Sequence, residues 1–197
     1  MTRSMFLILV CIAALACATE APPPADAASA AETQAPTPPD RVELAMSAAP
    51  ASIASAARIV DFDDAGNLIE LRAGTNGWMC LPDDPNIPGE DPMCLDATWQ
   101  QWLDAYVKKT PPAITSVGIG YMLQGGDAAS NTDPFATEPA AGGSWVEAGP
   151  HLMVIVPDAA LLESLPTDHA SGQPYVMWRG SPYAHIMVPV GDMSGAH

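Results

Sequence analysis

Two phrases near the C-terminal end carry the side chains best suited to chemistry. They read His151-Leu-Met153-Val154-Ile-Val156-Pro-Asp158 and His185-Ile-Met187-Val188-Pro-Val190-Gly-Asp192, with every matching position offset by 34 residues. In an extended strand residues i and i+2 point to the same side. Each histidine therefore shares a face with its methionine, while Leu152, Val154, Val156 and Ile186, Val188, Val190 take the other. If the two strands lie close together, two imidazoles and two thioethers converge. That donor set is soft and suits copper(I), with Met177 as a further donor. The plainer reading is two sheet strands whose methionines fill core gaps and whose histidines sit hydrogen-bonded at strand starts.

In donor choice the pairs resemble exported copper chaperones of the His–Met type, although the intervals between His151, Met177 and His185 differ from that pattern. Other constellations are weaker. Asp61-Phe-Asp63-Asp64-Ala-Gly66 opens with the rhythm of a calcium loop, but Ala65 takes the third ligand position and Arg72 stands where a bidentate Glu is required. A hairpin turn explains those residues better. Asp83, Asp84, Asn86, Glu90 and Asp91 offer oxygen donors without a coordination spacing. The chain has no Gly-x-Ser-x-Gly, no His-Glu-x-x-His, no Cys-x-x-Cys and no phosphate-binding glycine loop before a helix. Gly118-Ile-Gly120 starts like a dinucleotide fingerprint, yet no third glycine follows at the needed spacing. Ser181 with His185, or Asp168 beside His169, is too common a pairing to define a hydrolytic triad. No catalytic residue is assigned, and the expectation leans away from an enzyme.

The elements that must position these residues follow from periodicity. Arg41 to Ala49 reads as an Ala-rich helix stopped by Pro50. Arg58 to Asp63 and Leu68 to Arg72 read as a hairpin with Gly66 and Asn67 in its turn. Asp96 to Lys109 is the strongest helix: Asp96 suits the N-cap, and Trp99, Trp102, Leu103 and Tyr106 fall on one face. Lys108 and Lys109 suit its C-terminal end, and Pro111-Pro112 stops it. Ile114 to Leu123 reads as a strand and Gly125 to Gly143 as a loop. His151 to Val156 reads as a second strand, followed by a helical turn at Ala159 to Leu165. A final hairpin joins Tyr175 to Trp178 with Tyr183 to Val188. Hairpin-joined strands outnumber helices, which predicts an α+β fold: a mostly antiparallel sheet with one or two packed helices.

The N-terminal residues read as an address. Arg3 precedes the apolar run Met5 to Leu15, which ends in small residues and is too short to span a bilayer, as an export signal requires. Ala14-Leu15-Ala16-Cys17 resembles the lipobox of bacterial lipoproteins, with Ala14 where Leu is typical. The resemblance implies a lipid on Cys17 and a periplasm-facing, membrane-anchored protein. Ordinary secretion with cleavage after Ala16 or Ala18 is the alternative. Residues 1–16 are then the signal, 17–40 an unfolded Pro/Ala-rich tether, and 41–197 a single domain. That domain holds only Cys80 and Cys94, which an exported protein pairs as a disulfide around a loop with four prolines. The net charge of −16 and the lack of any basic run make nucleic acid and anionic headgroups poor partners, and solubility is the plainer reading of the charge.

Asn76-Gly-Trp-Met-Cys80, Pro92-Met-Cys-Leu-Asp96, Gly120-Tyr-Met-Leu-Gln-Gly125 and Pro182-Tyr-Ala-His-Ile-Met-Val188 together resemble a family of uncharacterised exported bacterial proteins. The resemblance covers about Ile59 to Val190 and implies export, with no substrate and no catalytic residues. The expectation is an exported, lipid-anchored envelope protein with a binding or scaffolding role. Its candidate surface holds Trp78, Trp99, Trp102, Tyr121, Trp145, Tyr175, Trp178 and Tyr183. The alternative is a copper(I)-binding or delivery protein using His151, Met153, Met177, His185 and Met187.

Overall fold

The computed structural model describes residues 38–84 and 87–191, all within one compact unit. The segment expected as signal, Cys11, Cys17, the expected tether up to residue 37, Asn86 and Asp192 lie outside the described residues. Helices α1 (Pro38–Ser47) and α2 (Ala51–Ala54) lead into strands β1 (Arg58–Phe62), β2 (Leu68–Arg72), β3 (Met79–Leu81) and β4 (Met93–Leu95). Helix α3 (Ala97–Val107) follows, then β5 (Gly118–Met122), β6 (Gly126–Ala128), β7 (Val146–Ala148), β8 (His151–Ile155), β9 (Tyr175–Met177) and β10 (His185–Pro189). Eight strands form one sheet in the order β2-β1-β3-β4-β5-β8-β10-β9, and β6 pairs with β7 alone. Neighbours run antiparallel except β1 beside β3. The fold is α+β.

Local chemistry accounts for most boundaries. Helix α1 starts at Pro38, inside the segment expected as tether. Prolines fit a first helical turn, where the missing N–H has no partner to lose. The β1–β2 turn closes on Asp63, whose Oδ1 accepts from the backbone N–H groups of Ala65 (2.9 Å) and Asn67 (2.8 Å), with Gly66 at φ +79°. Asp96 caps α3 by accepting from Trp99 N at 2.9 Å, and its other oxygen accepts from Ile119 N at 2.6 Å. One carboxylate thus starts the helix and ties it to β5.

Gly118 sets how closely α3 approaches the sheet, and Gly120 makes room for Met153 of the neighbouring strand. A Cβ on Gly118 would sit 2.9 Å from Thr98 Cβ, and one on Gly120 would sit 2.9 Å from Met153 Cε. The Gly118-Ile-Gly120 phrase is explained by this close approach. Trp99 and Trp102 are buried on this face with Met153, Met177 and Met187. The opposite face is covered by α1 and the turn after it, where Ala45 of the helix and Ala48 and Ala49 of the turn pack with Cys80 and Cys94. The cysteines face each other across β3 and β4 and form a disulfide with Cα atoms 4.0 Å apart. Short alanines let α1 settle on it, bringing Ala45 O to 3.6 Å from Cys94 Sγ.

The expected strand from Ile114 begins only at Gly118, and the expected loop from Gly125 contains β6. Strands β3, β4, β6 and β7 have three residues each, too few to display a period.

Asp96→Ala should lower unfolding free energy by about 2 kcal/mol, since it removes a helix cap and a second charge-assisted bond. Urea denaturation measures this; a loss below about 0.5 kcal/mol would show that neither bond matters.

Candidate functional site

Strand pairing decides which donors meet. Met187 stands opposite Met153, and Pro189 opposite His151, across the β8–β10 pair. His185 faces Met177 across β10–β9, and His151 faces Met122 across β8–β5. Burial alternates along β8 and β10, with His151, Met153, His185 and Met187 all inward. The outward alternates Leu152, Val154, Ile186 and Val188 are only partly buried. All five predicted donors therefore occupy one face. Met122 joins them as a donor that the sequence did not single out, because it lies in a strand without a histidine.

Both imidazoles are held in the same way. His151 Nδ1 lies 2.7 Å from Gly149 O, and His185 Nδ1 lies 3.0 Å from Tyr183 O. A carbonyl accepts only, so each Nδ1 carries the proton and each Nε2 keeps its lone pair. His151 Nε2 is buried and has no hydrogen-bond partner among the described residues. Burial pushes the pKa of His151 down to about 4. It pushes His185 down to about 4 as well, with His151 adding a smaller like-charge effect. Each ring is neutral at pH 7, the form that coordinates a metal.

Aromatic rings close over one end. Trp99, Trp102 and Trp178 present themselves edge-on to the His185 ring at 5.1, 5.8 and 5.2 Å. Trp102 stacks on Tyr106 at 5.2 Å and on Trp178 at 6.0 Å. Trp178 adopts φ 55°, uncommon for a bulky residue. Its backbone N–H donates to Asn131 O at 2.9 Å, and its indole N–H donates to Ser130 O at 2.8 Å. Of the proposed aromatic surface, Trp99, Trp102, Tyr175 and Tyr183 are buried, and Trp78, Tyr121, Trp145 and Trp178 are partly so. The set is mainly core.

A cavity of about 960 Å³ runs along this face, lined among others by Met122, His151, Met153, Met177, His185 and Met187. Acidic groups stand at its other margin. Asp91 is only 5% exposed; its Oδ1 accepts from Asp84 N at 2.8 Å, and its own N–H donates to Asp83 Oδ1 at 3.1 Å. Burial first, and the Asp83 carboxylate second, push the Asp91 pKa up to about 8. Arg41 pairs with Asp61 through Nε and Nη2 and donates from Nη2 to Asp83 O at 2.9 Å.

The remaining candidates have structural duties. Asp63 holds its hairpin turn, and Arg72 donates to Ala54 O and Ala57 O at 2.7 and 2.8 Å. Asp168 accepts from Ala170 N at 3.0 Å, and Ser181 Oγ accepts from Tyr183 N at 3.1 Å.

Among the described residues, no three His, Cys, Asp or Glu side chains gather into a metal-holding group, so any metal here would depend on thioether sulfur. No described helix is long and apolar enough to cross a membrane. No protein-family model, no curated protein and no solved structure matches the chain.

The buried titrating groups predict a stability maximum near pH 6.5. Between the histidines' unfolded value of 6.5 and their folded value of about 4, the unfolded chain binds protons that the native one does not. Stability therefore falls as pH drops through that window. Asp91 acts oppositely: between 3.8 and about 8 the native chain holds the extra proton, and stability falls as pH rises. Two histidines outweigh one carboxyl below 6.5, and Asp91 acts against neither above it. Thermal melts against pH should show the maximum, and Asp91→Asn should remove the decline between pH 6.5 and 8. A decline unchanged in that variant would contradict the assignment.

Proposed function

We propose that the chain is an exported envelope protein, tethered through a lipid on Cys17, whose domain binds copper(I) among the histidines and methionines of β8, β9 and β10. The observation that carries this reading is His151 Nε2, a neutral lone pair buried without a partner on a face supplied with methionine sulfur. Leaving such a group unpaired costs about 1–3 kcal/mol, which a coordinating cation would offset. Thioether and neutral imidazole are matched to a soft monovalent ion. The Nδ1 bonds to Gly149 and Tyr183 are the kind of outer hydrogen bond that fixes tautomer and ring orientation in metal-ligating histidines. The export signal and the Cys80–Cys94 disulfide support an oxidising compartment.

Anaerobic titration with copper(I) against a chromophoric chelator tests the site. The mature lipid-anchored protein in detergent, whose Cys17 sulfur is occupied by the lipid, should compete for the ion. The His151→Ala, His185→Ala double variant should bind more than about 100-fold more weakly, since loss of outer-shell partners alone costs up to that much. Equal affinity in both proteins would refute the assignment.

A second reading is favoured by one observation. The cavity of about 960 Å³ lies within the range of small-molecule sites, so an apolar organic ligand is the competing occupant. Extraction of the protein purified from its own membranes, followed by mass spectrometry, separates the two. Stoichiometric copper supports the first reading, and a co-purifying organic molecule the second.

For the anchor, mass spectrometry of the mature protein should find Cys17 as the acylated first residue. An unmodified start at Thr19 would refute lipidation.

A further inference from the structure

The pairing register divides the donor face into three cross-strand rows. Met122 faces His151, Met153 faces Met187, and Met177 faces His185. The order Met–His, Met–Met, His–Met is symmetric about the middle row; the repeated His-x-Met phrase supplies the inner four donors, and β5 and β9 add Met122 and Met177 at the ends.

Distance then separates the two imidazoles. His151 lies opposite Pro189, four residues along β10 from His185, which is about 13 Å at the rise of an extended strand. The rings are also anchored in opposite directions. Gly149 precedes β8 and Tyr183 precedes β10, so the Nδ1 bonds to their carbonyls hold the rings toward opposite ends of the antiparallel pair. One ion would need both Nε2 atoms within about 2 Å of it, against a separation of about 13 Å along the strand between the two attachment points.

Each end has its own donors instead. A thioether stands directly across from each histidine, within the roughly 5 Å spacing of facing residues, and the methionine at i+2 supplies a second sulfur toward the middle row. The end at His151 is distinguished by its partnerless Nε2. The end at His185 is distinguished by its ring of Trp99, Trp102 and Trp178.

We propose that this face holds two copper(I) ions: one between His151 and Met122, the other between His185 and Met177, with the Met153–Met187 row between them. This rests on the copper(I) reading and extends it to the number of ions and to Met122 as a ligand. The middle row offers each ion a shared sulfur, so the face is arranged for transfer of an ion from one end to the other.

The test is native mass spectrometry of the mature lipid-anchored protein, released from detergent and loaded anaerobically with copper(I). Wild type should bind two equivalents. Met122→Leu with His151→Ala should bind one, and Met177→Leu with His185→Ala should bind one. Circular dichroism of each variant confirms folding, and the two Met→Leu single variants, which conserve volume, should each weaken one equivalent while leaving the other unchanged. A wild-type protein that binds a single equivalent, lost in either end variant, would overturn the two-ion arrangement while leaving copper binding intact. Absence of any bound copper in wild type would overturn both.

Discussion

The register of β10 on β8 is the constraint on which the site depends. Side chains alternate across a strand, so a slip of one residue would send His151, Met153, His185 and Met187 to the outer face and bring Leu152, Val154, Ile186 and Val188 inward. Several contacts hold the observed pairing. Trp99 Nε1 donates to Met153 O at 3.2 Å, linking α3 to β8 from above. The two Nδ1 bonds fasten the strand starts. Gly120 leaves room for Met153 Cε, which would have to shift from a Cβ placed there, 2.9 Å away.

Helix placement follows from the same economy of space. Asp96 joins α3 to β5 through a cap and a bond to Ile119 N, and the absence of a side chain at Gly118 lets the helix descend onto the sheet. That descent places Trp99 and Trp102 against His185, which removes water from the imidazole and depresses its pKa. The low pKa is therefore a consequence of packing, with the neutral, lone-pair-bearing ring as its chemical result. The opposite face works independently: small alanines of α1 and the turn after it lie over the Cys80–Cys94 disulfide and close the sheet without contributing to the donor face.

Much of this was legible in the sequence because long elements repeat their period. The i, i+3, i+4, i+7 aromatics of α3, the alternation in β8 and β10, and the Asp63-to-Asn67 turn each carry several matching residues. Sharing of a face by His151 and Met153, and by His185 and Met187, followed from alternation alone. Strand order did not, since β5 lies between β4 and β8 only because of tertiary pairing, and this pairing is what brings Met122 opposite His151. The role of Gly118 and Gly120 was equally hidden, because close approach is a property of what packs on the strand. The three-residue strands hold no periodic signal, and β6 lay within a stretch whose composition reads as loop.

X-ray absorption at the copper edge of the loaded protein reports directly on which atoms hold the ion. A monovalent ion bound to both sulfur and imidazole nitrogen is expected, with the nitrogen contribution lost from the His151→Ala, His185→Ala variant. A coordination of oxygen and nitrogen alone, or a spectrum unchanged by removing both histidines, would contradict it.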